Sequence, residues 1–305
     1  MKRIAFIFVF FLIGIFSISD GSNESAAQKQ ADEFLTIYNS FYQRMYTVDG
    51  EANWLASTDV TDTHTGQRIG ADIAYAAFLG SPYILEQSKK LLEKKQELSP
   101  ITVRQLEKIL YNAAHAPGTV PEIVNTRIAA EARQSATLDA FEFCAEREGN
   151  RCAKAVTPNQ IDDALQKSAD LQERKKMWEI SKQSGVTLKP GLIELQKLRN
   201  QVAKAGGHNS YFALEVSDYG MTVPEMMSLL QKIITDTKPL YQQLHAWTKH
   251  TLAARYKQTV PAKIPAHWLG NRWSQEWPGI VEGIDLDDLF GSKSPEWLVQ
   301  QAERF

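Results

Sequence analysis

Histidine is the side chain most often used for metal binding and for proton transfer near neutral pH, and this chain contains six. None belongs to a His-Glu-x-x-His sequence, in which two histidines one helical turn apart bind zinc and the glutamate acts as a base. His245 and His250 are five residues apart, which places them about 140° apart around a helix. The sequence therefore predicts no catalytic residue and no metal site, and it favours surface or helix-capping roles for His64, His115, His208, His245, His250 and His267.

The two cysteines, Cys144 and Cys152, flank a short polar stretch that includes Gly149 and Asn150. Such residues are typical of a turn. In an exported protein this pair is able to form a disulfide, which we expect to close a small loop between two helices. Two free thiols are the alternative. Metal binding by the pair alone is disfavoured because no nearby residue completes a four-ligand set.

Three tryptophans lie within ten residues and alternate with polar side chains. Tryptophans usually anchor a core or an interface, whereas polar residues among them suit the wall of a binding cleft. The sequence leaves both interpretations open for Trp268, Asn271, Arg272, Trp273, Ser274, Gln275 and Trp277.

The elements that must position these residues are predicted to be helices. Apolar residues at helical spacing indicate a helix over residues 31–48. Thr157 and Thr222 each begin a capping pattern, and the glycines at 206 and 207 stop the helix before them. We expect Pro239 to divide two helices. The best strand candidate is 264–273, so the predicted fold is mostly α with room for one short β-hairpin.

The composition of the 305 residues is that of a globular protein, with 43% hydrophobic residues. Lys and Arg number 34 and Asp and Glu number 36, which gives a formal charge of −2. This balance excludes a strongly basic nucleic-acid binder and a polyacidic tail protein.

The N-terminus has the pattern of an export signal. Met1-Lys2-Arg3 precedes an apolar run over residues 4–16, which is shorter than the roughly 20 residues that span a bilayer. We therefore predict a signal peptide over residues 1–22, cleaved after 19–22, and a secreted or periplasmic protein. An uncleaved membrane anchor is the alternative. No linker divides residues 23–305.

Several segments resemble one family in the same order along the chain. Residues 264–277, Ile-Pro-Ala-His-Trp-Leu-Gly-Asn-Arg-Trp-Ser-Gln-Glu-Trp, are similar to the Pro-Ala-His-Leu-Leu-Gly-Asn-Met-Trp-x-Gln-x-Trp segment of angiotensin-converting-enzyme-like zinc peptidyl dipeptidases. Residues 51–54, 239–247 and the sequence after Ser294 also resemble this family. Cys144 and Cys152 lie where the family has its first disulfide, although the loop here is two residues longer. The resemblance extends from about residue 31 to the end.

The resemblance implies a largely helical peptidase with two halves around a channel and a lid of N-terminal helices. In that family the His-Glu-x-x-His zinc motif follows the part that this chain resembles. We therefore interpret residues 23–305 as the lid and channel-wall part of a peptidyl-dipeptidase domain, incomplete at its C-terminus. The helix predicted from Ser294 has no stop signal before the last residue.

One site residue is implied by the resemblance. Gln275 matches the family's glutamine that hydrogen-bonds the terminal carboxylate of the substrate. Two neighbours depart from the family pattern: Glu276, a carboxylate that would repel the substrate terminus, and Arg272, which would partly offset it.

The predicted function is that of an exported zinc peptidyl dipeptidase, represented by its non-catalytic half and inactive alone. Its expected partners are a peptide substrate and the missing C-terminal half, with no nucleic acid, and zinc would be held by the complete enzyme only. The alternative is an inactive remnant or a non-catalytic peptide-binding protein.

Overall fold

The computed structural model describes residues 25–275, 277, 280 and 290–304. The predicted signal peptide, residues 1–22, lies outside these residues. The fold is mostly helical, as predicted, with one antiparallel hairpin. In chain order the elements are α1 (Ala26–Thr58), α2 (Asp62–Leu79), α3 (Pro82–Leu92), α4 (Pro100–Ala114), α5 (Pro121–Asp139), β1 (Phe143–Glu148), β2 (Arg151–Val156), α6 (Pro158–Lys167), α7 (Leu171–Ile180), α8 (Gln183–Ala205), α9 (Tyr211–Ser217), α10 (Val223–Arg255) and α11 (Pro295–Arg304), with 3₁₀ turns at Lys95–Glu97 and Ala266–Trp268.

The helix predicted over 31–48 forms the middle of α1. The Ser25 hydroxyl caps its start by accepting from the Gln28 N–H at 2.9 Å. Leu35 and Tyr38 lie on its buried face and pack with residues of α3 and α4, among them Ile84 and Leu106. A second core joins α2, α5 and α8. Through α8, the second core joins helices that precede the hairpin to one that follows it.

The hairpin occupies the segment that the sequence predicted as a loop between helices. Phe143 of β1 pairs with Val156 of β2 across an antiparallel ladder. Both side chains pack on Ile161 and Leu165 of α6 and on Ile180 of α7. The expected connection between two helices was therefore wrong, because the flanking apolar residues pack better as paired strands on α6 and α7.

The predicted disulfide is confirmed: Cys144 on β1 is bonded to Cys152 on β2, with the two Cα atoms 5.7 Å apart. The predicted strand at 264–273 is wrong, since its only regular element is the 3₁₀ turn at Ala266–Trp268. Pro261 and Pro265, which cannot donate to a ladder, are consistent with this irregular path.

Both predicted capping patterns are confirmed. Thr157 accepts from the Gln160 N–H and Thr222 from the Glu225 N–H, and each partner side chain accepts from the backbone of its threonine. The predicted break at Pro239 is wrong, since α10 runs without interruption through it. The carbonyl of residue 235 that loses its helical donor lies on an exposed part of the helix, where water can replace the hydrogen bond.

No helix within the described ranges combines the length and the apolar character needed to cross a membrane.

The disulfide generates a first prediction. Replacing both Cys144 and Cys152 by serine should lower the free energy of unfolding by about 2–3 kcal/mol, because the cross-link restricts the unfolded chain. Urea unfolding measures the difference, and peptide mapping without reductant should recover the linked peptides. A reductant should destabilise the wild-type protein and leave the double variant unchanged; two alkylatable thiols in the native protein would contradict the pairing.

Candidate functional site

A buried arginine fixes the backbone of the segment that carries the family resemblance. Arg174 on α7 is 2% exposed. Its guanidinium donates to the carbonyls of His267 at 2.8 Å, Ser168 at 2.9 Å and Leu269 at 3.1 Å. It also lies 5.2 Å from the centre of the Tyr256 ring. Burial lowers the pKa of Arg174, but an arginine remains charged in proteins, so its donors satisfy carbonyls that would otherwise be buried without partners.

The first tryptophan of the segment belongs to the core. Trp268 is buried together with Leu252 and Leu269. Its indole meets the Tyr256 ring edge to face at 5.5 Å, and its carbonyl accepts from the Tyr256 hydroxyl at 3.3 Å. The core interpretation thus holds for Trp268, which anchors the segment on the end of α10.

A tight turn follows over residues 271–275. Asn271 is 7% exposed, and its Oδ1 accepts from the Gln275 N–H at 3.2 Å. Ser274 has φ of +58°, an uncommon conformation for a residue other than glycine. It is held by its N–H, which donates to the Asn271 carbonyl, and by its hydroxyl, which donates to the Ala266 carbonyl. The Trp277 Nε1 in turn donates to the Ser274 carbonyl.

The second tryptophan faces solvent and makes a cation–π contact with a lysine. Trp273 is 64% exposed. The Lys182 Nζ lies 5.1 Å from its ring centre and 4.9 Å from that of Trp178 on α7. The same ammonium donates to the Arg272 carbonyl at 2.6 Å. Burial and the charge of Arg272 lower the pKa of Lys182. The cleft-wall interpretation is therefore compatible with Trp273 but not with Trp268.

Arg272 is held by a carboxylate of another helix. Its Nε and Nη2 donate to the two carboxylate oxygens of Asp162 on α6 at 2.8 and 2.9 Å. Such a bidentate pair fixes orientation as well as charge. Arg272 is thus already neutralised and directed toward α6. Glu276, which it was expected to offset, lies outside the described residues.

Gln275 closes the turn, and it is exposed. Its N–H donates to Asn271. The loop before it is held by Arg174 at the His267 carbonyl, by Lys182 at the Arg272 carbonyl and by Asp162 at the Arg272 guanidinium. A neutral amide offers two N–H donors and one acceptor. The turn can therefore present a hydrogen-bond donor to an anionic group without adding a charge.

The histidines take separate places in the fold. His64 lies in the first turn of α2, which Thr61 caps, and its Nδ1 is 2.8 Å from the Asp59 carbonyl at the end of α1. His115 lies between the rings of Tyr111 and Tyr211, and burial lowers its pKa. His245 rests against Trp277. Across the ranges that the structure describes, no group of three or more His, Cys, Asp or Glu side chains could hold a metal ion.

Sequence reasoning missed three of the residues that build the turn: Asp162, Arg174 and Lys182. Each lies 90 or more positions before the backbone or side chain it holds. They belong to ordinary helical sequence, and no local pattern distinguishes them from the exposed charges beside them.

The fold and the turn define a mostly helical protein that presents a polar loop beside exposed aromatic rings. A family model described as angiotensin-converting enzyme, Peptidase_M2, matches residues 25–286. This chain therefore belongs to the angiotensin-converting enzyme family.

Curated relatives agree with this assignment. The chain is 26% identical to an angiotensin-converting enzyme of Theromyzon tessulatum, over 94% of this chain and 47% of the relative. It is 23% identical to that of Haematobia irritans exigua, over 83% and 41%. It is 24% identical to the angiotensin-converting enzyme-like protein Ace3 of Mus musculus, over 90% and 36%. The chain thus spans less than half the length of each of these relatives.

The geometry predicts that Arg174 is essential for the loop. Arg174→Met should leave three carbonyls without a donor and lower the free energy of unfolding by at least about 3 kcal/mol. Arg174→Lys keeps the charge but cannot donate to all three carbonyls in the same geometry. Its free energy of unfolding should lie between those of Arg174→Met and the wild type. Lys175→Met, on the exposed side of the same helix, is the control and should change stability by less than about 0.5 kcal/mol. Equal stability of Arg174→Met and the control in urea unfolding would contradict this account.

Proposed function

We propose that this chain is the N-terminal half of an exported zinc peptidyl dipeptidase, and that Gln275 binds the terminal carboxylate of the peptide substrate. The observation that supports this most directly is the turn at 271–275. It fixes the backbone of Gln275 through Asn271 and leaves the side chain exposed. Under this proposal residues 1–22 direct export and are removed, and residues 23–305 supply the lid helices and one wall of the channel.

The charges around the turn explain why an amide is suited to this role. Arg174 donates to three carbonyls, Arg272 to Asp162, and Lys182 to the Arg272 carbonyl. The nearby cations are therefore occupied in holding the loop. A hydrogen bond from the Gln275 amide to a carboxylate is charge-assisted and stronger than one between neutral groups.

The exposed surface of α10 supports a second half of the domain. Residues 227–244 of this helix are all exposed, although many are large and apolar. Contiguous apolar surface of this kind marks an interaction surface in soluble proteins. We propose that a polypeptide equivalent to the unmatched part of the relatives packs here, on the surface formed by Met227, Leu229, Leu230, Ile233, Ile234, Leu240, Tyr241 and Leu244.

Zinc in such an enzyme polarises the scissile carbonyl and activates a bound water. The part of this chain that the structure describes offers no fitting set of ligands. We therefore assign the metal ligands and the base to the second half, and to this chain the binding of the substrate terminus and the walls that exclude water.

The lack of a fitting set of zinc ligands among the described residues also fits a second candidate, a non-catalytic remnant that binds peptides weakly or not at all. The nucleotide sequence after codon 305 distinguishes the two. A His-Glu-x-x-His sequence downstream, in frame or shifted, supports the peptidase, and its absence supports the remnant. Co-expression of the chain with the downstream polypeptide, followed by an assay for dipeptide release, tests the proposal directly.

Alone, the mature chain should hydrolyse no peptide and bind no stoichiometric zinc, because a peptidase zinc site takes three protein ligands. It should also self-associate through the exposed face of α10. The purified chain would be incubated with a blocked tripeptide and its metal content measured. Cleavage that a chelator stops, together with about one zinc per chain, would overturn the assignment of the ligands to a second half.

In the co-expressed protein, Gln275→Ala should raise KM for a tripeptide with a free carboxylate more than for the corresponding C-terminal amide. A hydrogen bond to a charged group contributes about 1.5–3 kcal/mol, which corresponds to roughly a 10- to 150-fold change. Gln172→Ala, the same substitution at an exposed position of α7, should leave both KM values unchanged. Equal effects of Gln275→Ala on acid and amide substrates would remove Gln275 from this role.

A further inference from the structure

Two carboxyl groups meet between the first two helices, at the Glu-Ala-Asn-Trp segment of α1. The Asn53 side chain links the Asp72 carboxylate to the backbone of Asp49. Its Nδ2 donates to Asp72 Oδ1 on α2 at 2.8 Å and to the Asp49 carbonyl at 2.9 Å. The Arg68 Nε lies 3.5 Å from Asp72 Oδ2. Asp72 thus has two polar partners, and the Asp49 carboxyl is hydrogen-bonded to Asp72.

One oxygen of the Asp49 carboxyl lacks a hydrogen-bond donor. Its Oδ1 is buried and accepts no hydrogen bond from any described residue. An ionised carboxylate only accepts hydrogen bonds, so two ionised carboxylates in contact repel each other. One proton between them removes a buried charge and supplies the missing donor. Burial, followed by a hydrogen bond to Asp72 and by the charge of Asp72, raises the pKa of Asp49 to about 7, and Arg68 opposes the shift.

Apart from the opposing charge of Arg68, the ion pairs among the described residues of α2, α5 and α8 do not include Asp49. On α2, the nearby Tyr75 has its pKa raised by burial and by its hydrogen bond to Tyr42 of α1, so the Tyr75 ring carries no charge near pH 7. On α5, which also packs on α2, Arg127 pairs with Glu131, and Glu131 with Arg199 of α8. The remaining charged side chains near this level are exposed, namely Arg44 and Glu51 on α1 and Glu122 and Arg133 on α5.

We propose that Asp49 and Asp72 form a proton-sharing pair that fastens α1 to α2 when it holds one proton and loosens this helix pair when the proton is lost. The device is independent of the peptidase function, since it concerns only the two helices at the start of the fold. It makes the stability of the α1–α2 pair depend on pH near neutrality.

The direction of the effect follows from proton linkage. Asp49 binds its proton more tightly in the folded protein than in the unfolded chain. Its stabilising contribution is therefore complete below the unfolded pKa, near 4, and is lost as the pH rises through about 7. The difference between the unfolded and folded pKa values of Asp49 limits the rise in the opening equilibrium of α1 and α2 to about a thousandfold. Because the pair is partly solvated, we expect a smaller rise.

Hydrogen exchange of the whole chain tests the proposal. Protection factors, corrected for the intrinsic rate, should fall in peptides of α1 and α2 between pH 5.5 and 8.5, and not in peptides of α8. Asp49→Asn mimics the protonated carboxyl and should abolish this pH dependence, with protection retained at pH 8.5. Glu51→Gln, a neutralisation at an exposed position two residues away, should behave as the wild type.

A direct titration keeps the test valid if Asp49→Asn fails to fold. The ¹³Cγ shift of Asp49 in the wild-type protein should titrate near pH 7, and in Asp72→Asn at a lower pH. An Asp49 titration below pH 5 in the wild type would overturn the proposal. A pH dependence of exchange that is unchanged in a folded Asp49→Asn variant would overturn it equally.

Discussion

The buried guanidinium of Arg174 is the constraint on which the candidate site depends. Between α10 and Gln275 the only regular element is the 3₁₀ turn at Ala266–Trp268. The carbonyls of His267 and Leu269 in this segment accept from the buried guanidinium. Buried carbonyls need donors, and one planar group with five N–H donors satisfies them together with the Ser168 carbonyl. Trp268 is then free to enter the core, and the turn after it is placed at the surface.

The positively charged side chains near the turn hold its backbone and pair with other residues of the fold. Lys182 lies between two indole rings and donates to the backbone of Arg272, whose side chain is paired with Asp162. Asp162 is itself positioned by α6, which packs on the disulfide-linked hairpin. The hairpin is thus connected to the turn through α6 and the Asp162–Arg272 pair. The exposed donor at the end of the turn is the neutral amide of Gln275.

The two ends of the described fold differ in how completely they are packed. α1 buries one face against its neighbours, with aromatic side chains and the Asp49–Asp72 pair near that face, while Ile37, Phe41 and Trp54 are exposed. The buried residues of α10, Thr248, Leu252 and Ala253, all lie near its C-terminal end. The chain spans 36–47% of its relatives' lengths, and under our proposal a second polypeptide packs on the open face of α10.

The sequence by itself determined the local features and the family. The capping threonines 157 and 222, the pairing of the two cysteines and the dominance of helix follow from patterns within a few residues, which sterics and short-range hydrogen bonds enforce in almost any context. The Pro-Ala-His segment carried the family relationship. From the same segment the position of Gln275 could be named as a candidate, but not what holds it.

The tertiary structure decided what depends on distant partners. Whether residues 143–156 pair as strands is set by a core on α6 and α7, and whether Pro239 ends a helix is set by the solvent beside it. Which tryptophan is buried depends on Tyr256 and Arg174, and Arg272 is directed by Asp162 across 110 positions of the chain. A local pattern carries no record of such contacts, because the free energy that selects them arises only when the folded chain brings the groups together and removes water from between them.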